Sequence, residues 1–438
     1  MDAVTLTAAD VTAKPATPGR FAAYLYTQFF SAFNDNVHAM AIGLYLAKAA
    51  GKSEEDAGLW QSVIGAAFVI PFILLSPLAG SLADRYDKRT VLILAKWTEV
   101  IPMSVSFLSS FLPAPLQYYG LVAGIFLMEV RAAFFSPAKY GILAEISRPD
   151  RLVRANGVVQ MLTMVAIVTG EAVGGFAFQG FDIRNTLLLC LGISIVGSLL
   201  CTRIPGGAAG NRTQRIQVNP LGGIWGTVRE MRSDRMLVIT VFTLSAFWMV
   251  SYIFKMNIPV FGRFALGISP GRTSLLWAFV SIGIGLGAGL AGVVKDADRS
   301  MGLVLPGIAG MAAASAAAAI WGTDFTSAGV VLAVLGVFGG LYLVPQTSIF
   351  QARSPSNRRG AYLAVQNFAN YGFMLISAGL YAVIKHLKVP SPRVFLWVGV
   401  GLAVLALVQA SLQPSLLFGQ LRGLLGGSPL LKKKDGPP

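Results

Sequence analysis

Apolar stretches long enough to cross a membrane recur from one end of this chain to the other. Phe21–Lys48, Gly58–Ala83, Leu116–Leu143 and Val394–Leu412 are examples. A run of 18 or more such residues spans a hydrocarbon core of about 30 Å as a helix. Twelve segments of this kind can be counted. Only 13% of the 438 residues are charged, about half the share in a soluble globular protein. The longest polar interval, Arg203–Arg235, is too short for a soluble domain. The expected architecture is an all-α membrane protein with twelve transmembrane helices.

The net charge of +15 would suggest a nucleic-acid partner in a soluble protein, but here its placement argues for topology. With twelve spans and a cytoplasmic N-terminus, the tails and even-numbered loops hold 23 of the 35 basic residues and the opposite side holds 8. Lys96, Arg131, Lys139 and Lys255 remain inside spans. That asymmetry follows the positive-inside rule and places both termini in the cytoplasm. Residues 1–20 lack the apolar core and cleavage site of a secretory signal and are expected to form a short tail. Cys190 and Cys201 read as small apolar residues of the sixth span rather than a disulfide.

Two halves repeat weakly. Gly80 and Asp84 recur as Gly292 and Asp296 at an offset of 212. Ser31-Ala32-Phe33 recurs as Ser245-Ala246-Phe247 at 214, and Pro137 as Pro345 at 208. The expected map is a tail (1–20), a six-helix bundle (21–204), a basic linker (205–235), a second six-helix bundle (236–413) and a basic tail (414–438). Such duplication, with a substrate path between the halves, is common among secondary transporters. The loop Gly80-Ser81-Leu82-Ala83-Asp84-Arg85-Tyr86-Asp87-Lys88-Arg89 resembles the signature of the major facilitator superfamily between spans 2 and 3. The resemblance implies the major facilitator fold and a gating latch of Gly80, Asp84, Arg85 and Arg89. Asp84 would cap or pair at a helix end, the arginines would reach acidic groups or carbonyls across the seam, and Gly80 would permit close approach.

Ionisable side chains inside spans are expensive and mark functional candidates. Span 1 carries Asn34-Asp35-Asn36, with Asp35 15 residues past Arg20, roughly 22 Å along a helix. Its carboxylate needs water, a partner cation or a cationic ligand. Otherwise the run pins helices together. In span 4, Glu129 and Arg131 are two apart and need partners on other helices, with Lys96 and Glu99 of span 3 as candidates. Lys139 follows Ser136-Pro137, where proline weakens the helix ladder; it would bind phosphate or pair with Glu145. Lys255 of span 7 lies near the outer surface, where snorkelling is the plain alternative. Asn257 and Pro259 are expected to end or bend that helix. Gly170-Glu171-Ala172-Val173-Gly174-Gly175 in span 5 resembles a glycine element of proton-coupled drug antiporters, with Glu171 in the place of proline. Its glycines suit close packing against the other half, and Glu171 is a possible proton carrier.

Three further segments resemble the bacterial lysophospholipid transporter family. They are Gln28-Phe29-Phe30-Ser31-Ala32-Phe33-Asn34-Asp35-Asn36, Ser136-Pro137-Ala138-Lys139-Tyr140-Gly141-Ile142-Leu143-Ala144-Glu145, and Leu152-Val153-Arg154-Ala155-Asn156-Gly157. The second half matches mainly through Phe247-Trp248 and Lys255. Two positions depart from the family: Asn34 replaces glycine and Lys255 replaces arginine, exchanging a bidentate donor for a point charge. The resemblance implies flipping of lysophosphatidylethanolamine-type lipid from the outer to the inner leaflet of the bacterial cytoplasmic membrane by rocking-type alternating access. A separate acyltransferase would then re-acylate it. The expected binding residues are Asp35, Asn34, Asn36, Lys139, Lys255, Glu129 and Arg131, with Asp35 attracting the ammonium and Lys139 and Lys255 the phosphate. No cofactor or metal is expected, and no nucleic acid. The Lys432-Lys433-Lys434 tail suits anionic membrane lipid.

The competing reading is a proton-coupled major facilitator exporter of drugs or small metabolites, using Asp35, Glu129 or Glu171. An enzyme is not expected. Neither His38 nor His386 begins a His-x4-Asp motif, and no metal-ligand cluster is present in the sequence. A non-transporting scaffold for the acyltransferase would leave the buried charges unexplained.

Overall fold

The computed structural model describes residues 18–146, 152–204, 224–293, 301–355 and 358–412, with positions 216 and 219. Within these residues the chain is helical. The elements are α1 (Pro18–Ala49), α2 (Glu54–Arg85), α3 (Lys88–Trp97), α4 (Val100–Ser109), α5 (Leu116–Ile146), α6 (Leu152–Cys201), α7 (Ile224–Met231) and α8 (Arg235–Val260). After a π-helical turn (Phe261–Ala265) follow α9 (Pro270–Val293), α10 (Val304–Trp321), α11 (Phe325–Arg353), α12 (Arg359–His386) and α13 (Ser391–Leu412).

Ten helical segments are long and apolar enough to cross a membrane. One of them, Val158–Cys201, has 44 residues, twice what a bilayer requires. It divides at Asp182, whose φ of 68° and ψ of 179° interrupt the helix, so α6 holds spans 5 and 6. That backbone region is nearly confined to glycine, and the strained residue replaces a loop. α1, 32 residues long, supplies the remaining span and carries the Asn34-Asp35-Asn36 run. The chain is therefore a multi-pass membrane protein with the twelve spans its hydropathy predicts. Span 3 is itself broken, as α3 and α4, at Thr98-Glu99. Lipid-facing surface is visible as exposed large apolar side chains, among them Leu74, Leu108, Leu188 and Leu407.

Two prolines sit in long helices: Pro137 lies inside α5, which continues to Ile146, while α8 ends at Val260, one residue after Pro259, and passes into the π-helical turn. Each removes one ladder donor, a loss that packing in a long helix absorbs. In the second half, α9 and α11 cross where their glycines meet. A Cβ on Gly283 or Gly287 would strike the carbonyls of Ala333 and Val337, and one on Gly336 or Gly340 those of Val280 and Ile284. These i, i+4 pairs of small residues let two backbones touch in an apolar medium.

The chain separates into two compact units that cut across the sequence halves. The first comprises Met1–His38, Pro71–Gly170 and Arg184–Pro220; the second comprises Ala39–Ile70, Glu171–Ile183 and Leu221–Pro438. Within the second unit, the α1–α2 hairpin is held by side chains of the C-terminal half. Tyr252 donates to the Gly65 carbonyl at 2.9 Å, Arg263 to the Gly51 carbonyl at 2.8 Å, and Lys385 to Glu54 at 2.8 Å. Lys385 is buried at the end of α12. Its stem covers the face where a Cβ on Gly58 would lie. The expected tails 1–20 and 414–438 fall largely or wholly outside the described residues, as does much of the linker 205–235, whose described residues include α7.

Candidate functional site

The first unit contains a chain of buried ions contributed by three spans. Lys96 at the end of α3 meets Glu99 at 2.6 Å. Glu99 also receives Arg131 of α5 at 3.3 Å, the Ser31 hydroxyl at 3.3 Å and the Asn34 amide at 3.1 Å. Arg131 goes on to Ser31 at 2.9 Å and to both oxygens of Asp35 at 2.5 and 2.6 Å. Two cations thus match two carboxylates. Lys96 and Glu99 are three residues apart, the spacing at which side chains meet on one helical face. Lys96, Glu99 and Arg131 are enclosed, while 23% of the Asp35 side chain remains exposed. Opposite charges at these distances support each other where water is absent.

Of the expected binding residues, the structure brings Asp35, Asn34 and Arg131 together. Asn36 instead donates to the Ala32 carbonyl of its own helix at 2.7 Å. Glu129 is buried in the same unit. Lys139 approaches the Thr163 hydroxyl of α6 at 3.5 Å, and its carbonyl accepts from Tyr24 at 3.0 Å. Its alternative partner, the Glu145 side chain, lies outside the described residues. The role of Glu99 as the hub was legible only as a nearby acid. Ser31 gave no signal beyond its place in the motif.

Beside this cluster, the C-terminal end of α2, α3, the start of α4 and the middle of α5 enclose a cavity of about 830 Å³. Leu94, Ile101, Leu127, Val130 and Phe134 supply apolar wall, and Arg131, Arg85, Tyr86 and Asp87 supply its polar border.

The latch residues take partly different roles from those expected. Arg89 reaches carbonyls, but those of Ile204 at 2.7 Å and Thr202 at 3.0 Å, at the end of α6 in its own unit. The residue that caps α3 is Asp87, which accepts from the Thr90 amide at 2.9 Å. The Asp84 side chain lies outside the described residues. Around Gly80 a Cβ would meet no described atom within 4 Å, so close approach does not explain this glycine here.

The second unit holds a different arrangement. Glu171 of α6 and Lys255 of α8 face each other at 3.8 Å, with the carboxylate buried and a third of the lysine side chain exposed. The ammonium stands over the Phe68 ring, 5.1 Å from its centre, and Trp277 lies beside the same carboxylate. Neither Glu171 oxygen has a partner at full hydrogen-bond distance among the described residues; the Trp277 indole and the Lys255 ammonium are the donors turned toward it. Sequence reading marked Glu171 and Lys255 separately and did not pair them; Phe68 and Trp277 were missed, since an aromatic in an apolar span carries no signal. The glycine element around Glu171 does pack closely: a Cβ on Gly175 would collide with Ser274 of α9 and come within 2.9 Å of the Pro270 carbonyl. Among the described residues no three His, Cys, Asp or Glu side chains group as metal ligands.

A profile of the Major Facilitator Superfamily matches residues 24–378. The chain belongs to the Major Facilitator Superfamily. Within that superfamily it is similar to the lysophospholipid transporter LplT of Photorhabdus laumondii. The two are 32% identical over 401 residues, which cover 89% of this chain and 94% of that one. Its likeness to the lysophospholipid transporter LplT of Pectobacterium carotovorum is 31% over 384 residues, 86% of this chain and 90% of the relative. Solved structures share the major facilitator fold at low identity. A D-xylose-proton symporter superposes with a TM-score of 0.67 at 16% identity, covering 88% of this chain and 96% of its own. A bacterial homologue of the human lysosomal transporter Spinster gives 0.64 at 14%, covering 89% and 97%.

Proposed function

We propose that this protein is a lysophospholipid transporter of the bacterial cytoplasmic membrane. It would move lysophosphatidylethanolamine-type lipid from the outer to the inner leaflet by alternating access. The observation that carries this reading is the match along almost the whole length of relatives named for that activity. The buried chemistry agrees with it. A zwitterionic headgroup needs both signs of charge inside the membrane, and each unit offers them, in Asp35 and Arg131 of the first and Glu171 and Lys255 of the second. A single acyl chain needs apolar wall beside polar groups, as in the cavity bordered by Arg131. A diacyl lipid needs about twice that wall, which is a physical basis for lyso selectivity. Re-acylation by a separate enzyme would draw the lipid inward without an ion gradient. The basic linker and termini would lie on the cytoplasmic side.

A second reading, a proton-coupled exporter, is favoured by one observation. Glu171 is a buried carboxylate with no close hydrogen bond, the situation of a group that takes up protons. One experiment separates the two: uptake of labelled lysophosphatidylethanolamine and of its diacyl counterpart by spheroplasts expressing the chain, with and without a protonophore. Uptake of the lyso lipid alone, unaffected by the protonophore, supports the proposal. No uptake above the empty-vector control overturns it.

A further inference from the structure

The two buried charge clusters differ in how far their charges are already spent. Charge-assisted hydrogen bonds run from about 2.7 to 2.9 Å, and the Lys96–Glu99 and Arg131–Asp35 contacts are at least that short. The Glu171–Lys255 gap of 3.8 Å is about an ångström too long for a hydrogen bond. A carboxylate enclosed by protein with no close hydrogen bond is costly, and its two donors, Lys255 and Trp277, stand beside it without closing on it. The Phe68 ring beneath the ammonium suits a cation, while Trp277 is a donor toward the carboxylate. Aromatic faces attract ammonium groups electrostatically. The lysine remains a third exposed, so the pair can be approached. Asp35, by contrast, has both oxygens held by one guanidinium. An incoming ammonium would have to displace it.

We propose that Glu171 and Lys255 form an open ion pair that a zwitterionic lipid headgroup enters, its ammonium going to Glu171 and its phosphate to Lys255. Lys255 holds the place of the substrate's ammonium until the headgroup arrives, then turns to the phosphate, so neither protein charge is left uncompensated. This assigns the ammonium to Glu171 rather than Asp35 and makes Glu171 the residue that tells ethanolamine from glycerol headgroups. The inference rests on the lysophospholipid reading above.

The test is the ratio of lysophosphatidylethanolamine to lysophosphatidylglycerol uptake in spheroplasts, a quantity independent of how much protein folds. Glu171→Gln is expected to lower this ratio about tenfold or more, the loss of one charge-assisted contact. Lys255→Gln is expected to reduce both uptakes and leave the ratio unchanged, because both lipids carry the phosphate. An unchanged ratio in Glu171→Gln overturns the inference and leaves lysophospholipid transport standing; a proton carrier would behave that way. If Glu171→Gln takes up neither lipid, Glu171→Asp decides. A wild-type-like ratio in that charge-preserving variant supports the inference, and a ratio fallen tenfold contradicts it. Failure of the wild-type chain to take up either lipid overturns both the inference and the reading beneath it.

Discussion

In the first unit, Asp35, Lys96, Glu99 and Arg131 each have an opposite charge within 3.3 Å. In the second, Glu171 faces Lys255 across 3.8 Å and makes no close hydrogen bond, with Trp277 as its other donor. Both clusters sit in helices that cross an apolar medium, where an unpaired charge is penalised. The first is satisfied internally and ties α1, α3 and α5 together. The second is left open, which stability alone does not favour. A closed network serves architecture, whereas an open pair is available to a ligand.

Removing the hub of the closed network should have the largest effect. Glu99→Gln leaves Lys96 without its short contact and Arg131 with Asp35 alone. Breaking a buried pair in this way costs about 3–5 kcal/mol. Thermal unfolding of purified protein in detergent should show a large drop in Tm; a wild-type Tm would mean that the network holds nothing together. Asp35→Asn should cost less, about 1–3 kcal/mol, because its side chain is partly exposed and Arg131 keeps Glu99 and Ser31. Its effect on ethanolamine and glycerol lysolipid uptake should be equal, in contrast to Glu171→Gln. Unequal effects would return the ammonium to Asp35.

Glu171→Gln sharpens the contrast from the other side. Neutralising a carboxylate that has no close hydrogen bond should leave Tm unchanged or raise it, whereas each substitution in the closed network lowers it. A fall as deep as that of Glu99→Gln would show that the Glu171 pair is also structural.

The smallest expected effect lies outside the membrane, at Asp324. Its side chain caps α11, accepting from the Thr326 and Ser327 amides and from the Ser327 hydroxyl. Those bonds, the Ser327 hydroxyl first, hold its carboxyl below the ordinary 3.8. A depressed carboxyl stabilises the fold above its unfolded value and loses that contribution as pH falls through the folded one. Asp324→Ala should therefore lower Tm slightly at neutral pH and make no difference once the pH is well below 3.8. An equal shift at both pH values would assign the effect to something other than the charge.

Much of this was legible in the sequence because a bilayer enforces it. Apolar run length gave the twelve spans, and the rarity of charge inside them singled out Asp35, Arg131, Glu171 and Lys255. Pairing was not legible, since which residues meet depends on helix rotation and on local breaks. The break at Thr98-Glu99 has a signal in Pro102, which lacks the donor for the Thr98 carbonyl, but nothing in that signal says that Glu99 would meet Ser31, Asn34 and Arg131. The turn at Asp182 joins spans 5 and 6 with no loop at all. The burial of Lys385 was likewise not legible, since it depends on Glu54 and the Val389 carbonyl meeting its ammonium. The signature loop was recognised as a whole, while the roles of Asp87 and Arg89 within it depended on where α3 starts and α6 ends.

The central claim, that this chain moves lysophospholipid between leaflets, is tested most directly with the purified protein in proteoliposomes. Fluorescent lysophosphatidylethanolamine and its diacyl counterpart would be placed in the outer leaflet, with no ion gradient, and their loss from that leaflet followed. Protein-dependent loss of the lyso lipid, with the diacyl lipid staying behind, is the predicted result. Rates equal to those of protein-free vesicles, or movement only when a proton gradient is imposed, would contradict it.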